Sequence, residues 1–246
     1  MAFLEDSFLS HLIELRNRLI RAVAAIVVVF LCLMPWASDI YDLLASPMLQ
    51  SLPEGTKMIA TGVITPFFVP VKITLMAAFI IALPVVLYQA WAFVAPGLYA
   101  HERRFALPMV MGGTALFITG MAFCYFFVFR TVFHFIASYA PKSITVAPDI
   151  EQYLSFVMTM FIAFGVTFEV PIVVLLLVKT GLVTVKQLRE ARRYVIVGAF
   201  VVAAVVTPPD VTSQVMLALP MCVLYEVGVL IAAVMVRRQA AGTASI

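Results

Sequence analysis

The chain has 246 residues, of which 64% are hydrophobic and only 12% charged, where soluble domains average about 45–50% apolar and about 25% charged. A water-soluble monomer is excluded. Sixteen Lys and Arg against thirteen Asp and Glu leave a formal charge of +3, and no basic run forms a phosphate-binding stripe, so nucleic acid is excluded and the lipid bilayer is the expected partner.

Six apolar windows, each a candidate to cross lipid, follow one another: Leu19 to Trp36, Ile73 to Ala95, Phe105 to Phe129, Tyr153 to Val178, Tyr194 to Val206 and Val211 to Val236. Ahead of the first, HLIELRNRL (His11 to Leu19) sets Leu12, Leu15 and Leu19 on one helical face and His11, Glu14 and Arg18 on the other, an amphipathic lead-in. Glu14 and Arg18 stand at i and i+4, so they either pair with each other or offer a carboxylate to a cationic ligand. The first span is expected to stay as an anchor. Acidic Glu5 and Asp6 precede it, and Met34, Pro35 and Trp36 replace the small residues of a cleavage site.

Between spans one and two, residues 37–71 carry Pro47, Pro53, Gly55, Pro66 and Pro70 among apolar residues, too apolar for a linker and too broken for a span. Short ordered helices are expected there, one at Asp39 to Leu44 in the interface, with Pro47 and Pro53 ending helical runs. After span two, residues 96–104 form a loop in which Glu102 lies beside Arg103 and Arg104. A local ion pair and a ligand carboxylate are equally good readings of it. Span three leads into a second outward loop, residues 130–152.

Glu169 lies ten residues from Lys179 in span four, about 15 Å from that end. It is either protonated and hydrogen-bonded in the bundle or part of a functional surface, and Gly165 and Pro171 on either side would allow a kink. Residues 179–193 form a second basic loop. Span five is short: about 13 residues cover about 20 Å of a roughly 30 Å hydrocarbon layer, so the bilayer should thin there. Thr207, Pro208, Pro209 and Asp210 follow as a turn that cannot be helical. In span six, Gln214 and Glu226 give a polar side, with packing the safer reading for Glu226.

Arg16, Arg18, Arg21, Arg103, Arg104, Lys179, Lys186, Arg189, Arg192, Arg193, Arg237 and Arg238 fall on one side of this topology, against Lys57, Lys72, Arg130 and Lys142 on the other. The positive-inside rule then puts both termini in the cytoplasm and residues 37–71 and 130–152 outside. Cys32, Cys124 and Cys222 are isolated in apolar stretches and read as buried structural thiols. No phosphate loop, Ser-His pair or metal-ligand spacing is present, so neither an enzyme nor a cofactor is expected.

Five strings in this order resemble one family, the TatC subunit of the twin-arginine protein translocase: HLIELRNRL, TPFFVPVK (Thr65 to Lys72), YQAWAF (Tyr88 to Phe93) with Pro96 and the HERR run, FGVTFEVP (Phe164 to Pro171) and TPPDVTSQ (Thr207 to Gln214). The resemblance implies an all-α polytopic membrane protein, six transmembrane helices forming a concave, glove-like bundle in which helices five and six are short. It implies a receptor in the bacterial inner membrane for twin-arginine signal peptides of folded precursors, working with TatA-like and TatB-like single-span proteins. Transport would be driven by the proton gradient, and the receptor would self-associate in a multi-copy complex.

Carried over by position, signal binding falls on Glu102 and Glu14, with Arg16 and Phe93 beside them. Two carboxylates suit two guanidinium forks where lysines would fit poorly. Glu169, Gln214 and Glu226 would face the intramembrane groove or a partner helix, and Pro47, Pro209 and Asp210 would act at the outer face. The match weakens around Arg130 to Pro148 and after Arg237. The competing reading is a proton-coupled secondary transporter of a small solute using Glu169 and Glu226. The absence of an internal repeat counts against it.

Overall fold

The computed structural model describes residues 2–50, 58–94, 103–139, 147–207 and 211–243. Helix α1 (Ala2–Leu33) runs through a 3-10 turn at Met34–Trp36 into α2 (Ala37–Leu49). Pro35, lacking a backbone N–H to continue the α1 ladder, falls in the first positions of that turn. A helix is therefore present where one was expected, but it is longer at both ends and continuous with α1. Pro47 does not end it: a proline this near the terminus removes little of the ladder, and the chain closes with Gln50 N–H on the Ser46 carbonyl at 3.0 Å.

Helix α3 (Thr65–Val94) contains Pro70 and Pro84. Helix α4 (Arg103–Phe123) continues through a π-helical segment (Cys124–Phe129) into α5 (Arg130–Tyr139), so the first ten residues of the expected second outward loop are helix. Asp149 starts α6 (Ile150–Lys179) by accepting from the Glu151 and Gln152 N–H groups at 2.9 and 3.0 Å. Gly181, at φ +73°, ends that helix in the left-handed conformation. Thr184 and Gln187 then form a capping box that opens α7 (Val185–Val206). Most of the basic stretch expected as a loop is thus the beginning of α7. The last helix, α8 (Val211–Thr243), has 33 residues, so the sixth helix of the expected bundle is not short.

Among the described residues, five helical runs are long and apolar enough to cross a membrane: Leu12–Ser46, Thr65–Phe93, Leu107–Phe135, Ile150–Lys179 and Val211–Arg237. Helix α7 has 22 residues, but Lys186, Arg189, Glu190, Arg192 and Arg193 occupy its first turns and leave only Tyr194 to Val206 apolar. The short fifth span is therefore a helix of ordinary length with a short apolar part.

The chain forms two compact bodies. In the first, residues 1–45 and 60–114, α1 lies along α3. Val69, Ile73, Ala78 and Leu83 are buried there, while Leu19, Val28 and Leu31 of α1 are exposed. Apolar side chains directed outward along a whole helix suit lipid as the solvent.

The second body, residues 46–59 and 115–246, packs α8 against both α6 and α7. Phe129, Phe164, Leu154, Met160, Leu217 and Val229 are fully buried in it. Phe129 meets Phe133, Phe156 and Phe161 at ring-centroid distances of 5.5, 5.8 and 5.2 Å, joining the π segment and α5 to α6. The end of α2 belongs here too. Ser46 Oγ and the Tyr125 hydroxyl are hydrogen-bonded at 2.9 Å. Ile59 N–H donates to the Pro148 carbonyl and Ile150 N–H to the Ile59 carbonyl, both at 2.9 Å.

Candidate functional site

The first group of candidate residues lies in the first body, on α1 and α3. Helix α1 presents Glu14 and Arg18 one turn apart, and the pair is formed: Arg18 Nε and Nη2 donate to Glu14 Oε1 at 2.9 and 2.5 Å. The Glu14 side chain stays 38% exposed, so its carboxylate is held locally yet remains reachable from outside. Arg16 is exposed, with Nη2 3.4 Å from Asn17 Oδ1. Leu12, Leu15 and Leu19 are also exposed, so the apolar face of the lead-in turns outward. Phe93 is half-buried in the last turn of α3. Glu102, Pro209 and Asp210 lie outside the described residues, and Pro47 is placed by its backbone in the last turn of α2.

The second group lies on α6, α7 and α8. Glu169 is 7% exposed, and neither carboxyl oxygen has a hydrogen-bond partner among the described residues. Among the described residues Glu169 is therefore held without being satisfied, although an unmatched buried polar group is costly. Helix α6 runs unbroken past it from Ile150 to Lys179, with Pro171 inside. Beyond Pro171 it meets α8 closely: a Cβ on Gly228 would stand 2.9 Å from the Pro171 Cα. Gln214 joins α8 to α7, its Nε2 donating to the Phe200 carbonyl at 3.3 Å. Glu226 is also engaged, with Arg192 Nη2 donating to its Oε2 at 2.6 Å. Next to it, the Tyr225 hydroxyl donates to the Leu188 carbonyl at 2.7 Å.

Sequence reasoning missed these α7–α8 contacts. In the sequence Arg192 is one of many basic residues, and nothing in the local pattern ties it to an acid 34 positions away. The Ser46–Tyr125 bond, spanning 79 positions, was equally invisible, although proximity to Pro47 marked the region. Of the thiols, Cys124 is buried as expected, Cys222 is intermediate and Cys32 is exposed. A thiol behaves as a small hydrophobe and loses nothing by facing lipid. No group of three or more potential metal ligands occurs among the described residues.

Five crossing-length helices and outward-facing apolar side chains define a multi-pass helical membrane protein. The family model described as "Sec-independent protein translocase protein (TatC)" matches residues 10–220. The Sec-independent protein translocase protein TatC of Escherichia coli (strain K12) is 52% identical over 221 residues, covering 90% of this chain and 86% of the relative. That of Azotobacter chroococcum mcd 1 is 54% identical over 220 residues, 89% of this chain and 86% of the relative. A crystal structure described as the twin arginine translocase receptor TatC superposes with a TM-score of 0.80 at 38% identity, covering 91% of this chain and 98% of that one. The chain belongs to the TatC family and is a core component of twin-arginine protein translocation.

Proposed function

We propose that the chain is the signal receptor of a twin-arginine translocase in a bacterial inner membrane, with both termini in the cytoplasm. It binds the arginine pair of a precursor's signal peptide and recruits TatA-like and TatB-like single-span proteins. It works as several copies in one complex, performs no enzymatic reaction of its own, and draws on the proton gradient. The observation that carries this reading is the likeness, over nine-tenths of the chain, to a receptor of that kind.

In this reading Glu102 and Glu14 accept the two guanidinium groups, each carboxylate matching a planar fork of donors. Arg16 and Phe93 shape the surroundings of that site. Glu169, buried without a hydrogen-bond partner among the described residues, supplies a carboxyl for a polar side chain of a partner's membrane helix. Gln214 and Glu226 border the same groove by keeping α7 against α8. Pro47, Pro209 and Asp210 hold the outer loops in place.

Site-specific photo-crosslinking from position 102 tests the receptor reading. A precursor with an intact twin-arginine signal should crosslink, and one carrying two lysines in place of the arginines should not. Equal crosslinking to both, or none to either from a correctly inserted protein, would overturn the assignment. Glu102→Ala should likewise abolish signal binding while leaving the protein inserted and folded.

A further inference from the structure

Helix α7 has two differently charged sides at its basic end. Toward α8 it directs Leu188, Arg192, Ala199 and Ala203: Leu188, Ala199 and Ala203 are buried, and Arg192 is neutralised by Glu226. On the other side Lys186, Arg189 and Arg193 are all exposed. At about 100° per residue they fall within an arc of about 60°. No ion pair engages any of the three among the described residues. Glu190, the acid nearest this face, is itself exposed and pairs with none of them.

The same face continues along the helix as Val197 and Val201, which are 63% and 57% exposed. At the junction, the Arg193 guanidinium carbon lies 4.9 Å from the Tyr194 ring centroid, an aromatic-cation arrangement suited to the level of lipid headgroups. Lys186 to Arg193 span about 10 Å of the helix axis, and the apolar remainder covers about 20 Å of a hydrocarbon layer roughly 30 Å thick. The cations are therefore held at or slightly below the phosphate level, where an unpaired charge is expensive and a fixed anion beside it is favoured.

We propose that this face of α7 binds an anionic phospholipid, with Lys186, Arg189 and Arg193 around the headgroup phosphate and an acyl chain along Val197 and Val201. One ligand supplies both features the face presents, a negative charge and an apolar tail continuous with it. An acidic soluble peptide would use only the first. Binding a headgroup at this depth also draws the bilayer surface inward where the apolar part of α7 is shortest.

The test uses the full chain, purified in a non-ionic detergent and examined by native mass spectrometry with equal amounts of phosphatidylglycerol and phosphatidylcholine carrying the same acyl chains. The protein should retain phosphatidylglycerol with a preference of about tenfold or more, as expected for several basic residues acting together at a membrane surface. The triple variant K186Q/R189Q/R193Q should bring that preference to within about twofold of unity. The control R21Q/R130Q/R237Q, with the same net charge, should keep it.

An undiminished preference in the first variant, an equal loss in both, or equal retention of the two lipids by the unaltered protein would overturn the proposal. Should the triple variant fail to fold, R189Q and R193Q made singly should each lower the preference by about threefold. Singles without effect would overturn it as well.

Discussion

Glu14 already holds a guanidinium, that of Arg18, so under the proposed receptor role an arginine arriving on a signal peptide would have to displace an internal competitor of the same chemistry. An i,i+4 pair on a helix surface is worth about 0.2–0.5 kcal/mol, roughly a twofold factor in affinity. Arg18→Gln should therefore strengthen binding of a twin-arginine signal peptide by about twofold, as read by titration of a labelled peptide. Weaker binding would show that Arg18 takes part in the site. Glu169 is the opposite case, a carboxyl with no partner among the described residues. Glu169→Ala should leave signal crosslinking from position 102 intact and impair transport or partner assembly, and loss of signal crosslinking would refute that division of roles. At this scale the sequence identified the unusual residues but not their state. Spacing alone offered Arg18 to Glu14, whereas Glu226 and Arg192 stand on different helices and only packing reveals their bond.

Close approach between helices depends on very few positions. Gly228 lets α8 meet α6, since a Cβ there would stand 2.9 Å from the Pro171 Cα and 3.1 Å from the Val174 Cβ, and the Pro171 backbone cannot give way as a flexible side chain would. Gly228→Ala should cost about 1–3 kcal/mol through overpacking. Gly198→Ala on α7, where a Cβ meets nothing within 4 Å, should instead be neutral or gain up to about 1 kcal/mol from helix propensity. Thermal unfolding in detergent compares the two, and equal effects would refute the packing argument. The Arg192–Glu226 bond, with side chains 46% and 40% exposed, belongs in the range of about 0–1 kcal/mol. Hydropathy found each apolar core of these helices but misplaced several ends. The start of α7 depends on the Thr184–Gln187 capping box and on charged residues that are good helix formers, and an apolar window is blind to both.

The molecule as a whole has to suit a bilayer thicker than the apolar part of α7, and mismatch of this kind carries a modest cost per ångström. In vesicles whose acyl chains lengthen from about 14 to about 20 carbons, transport-competent insertion should decline steadily, and activity indifferent to thickness would argue against local thinning. The helical membrane class and the order of the spans were legible because they follow from composition and hydropathy. The division into two bodies was not, because it follows from contacts such as Ser46 with Tyr125 and Ile59 with Pro148 that join distant parts of the chain. The π segment at Cys124–Phe129 belongs with these hidden features. Ala115 and His134 are both exposed, although in an unbroken α-helix their separation would turn them about 100° apart. The widened turn absorbs that difference, so this helix carries one surplus residue within its period. Losing a single residue at Phe126 would exchange the π turn for ordinary helix and keep Phe129 and Phe133 facing α6. The same loss within α6, which has no surplus to give up, would rotate half of that helix away from its neighbours. The two helices therefore differ in how they tolerate a change of length.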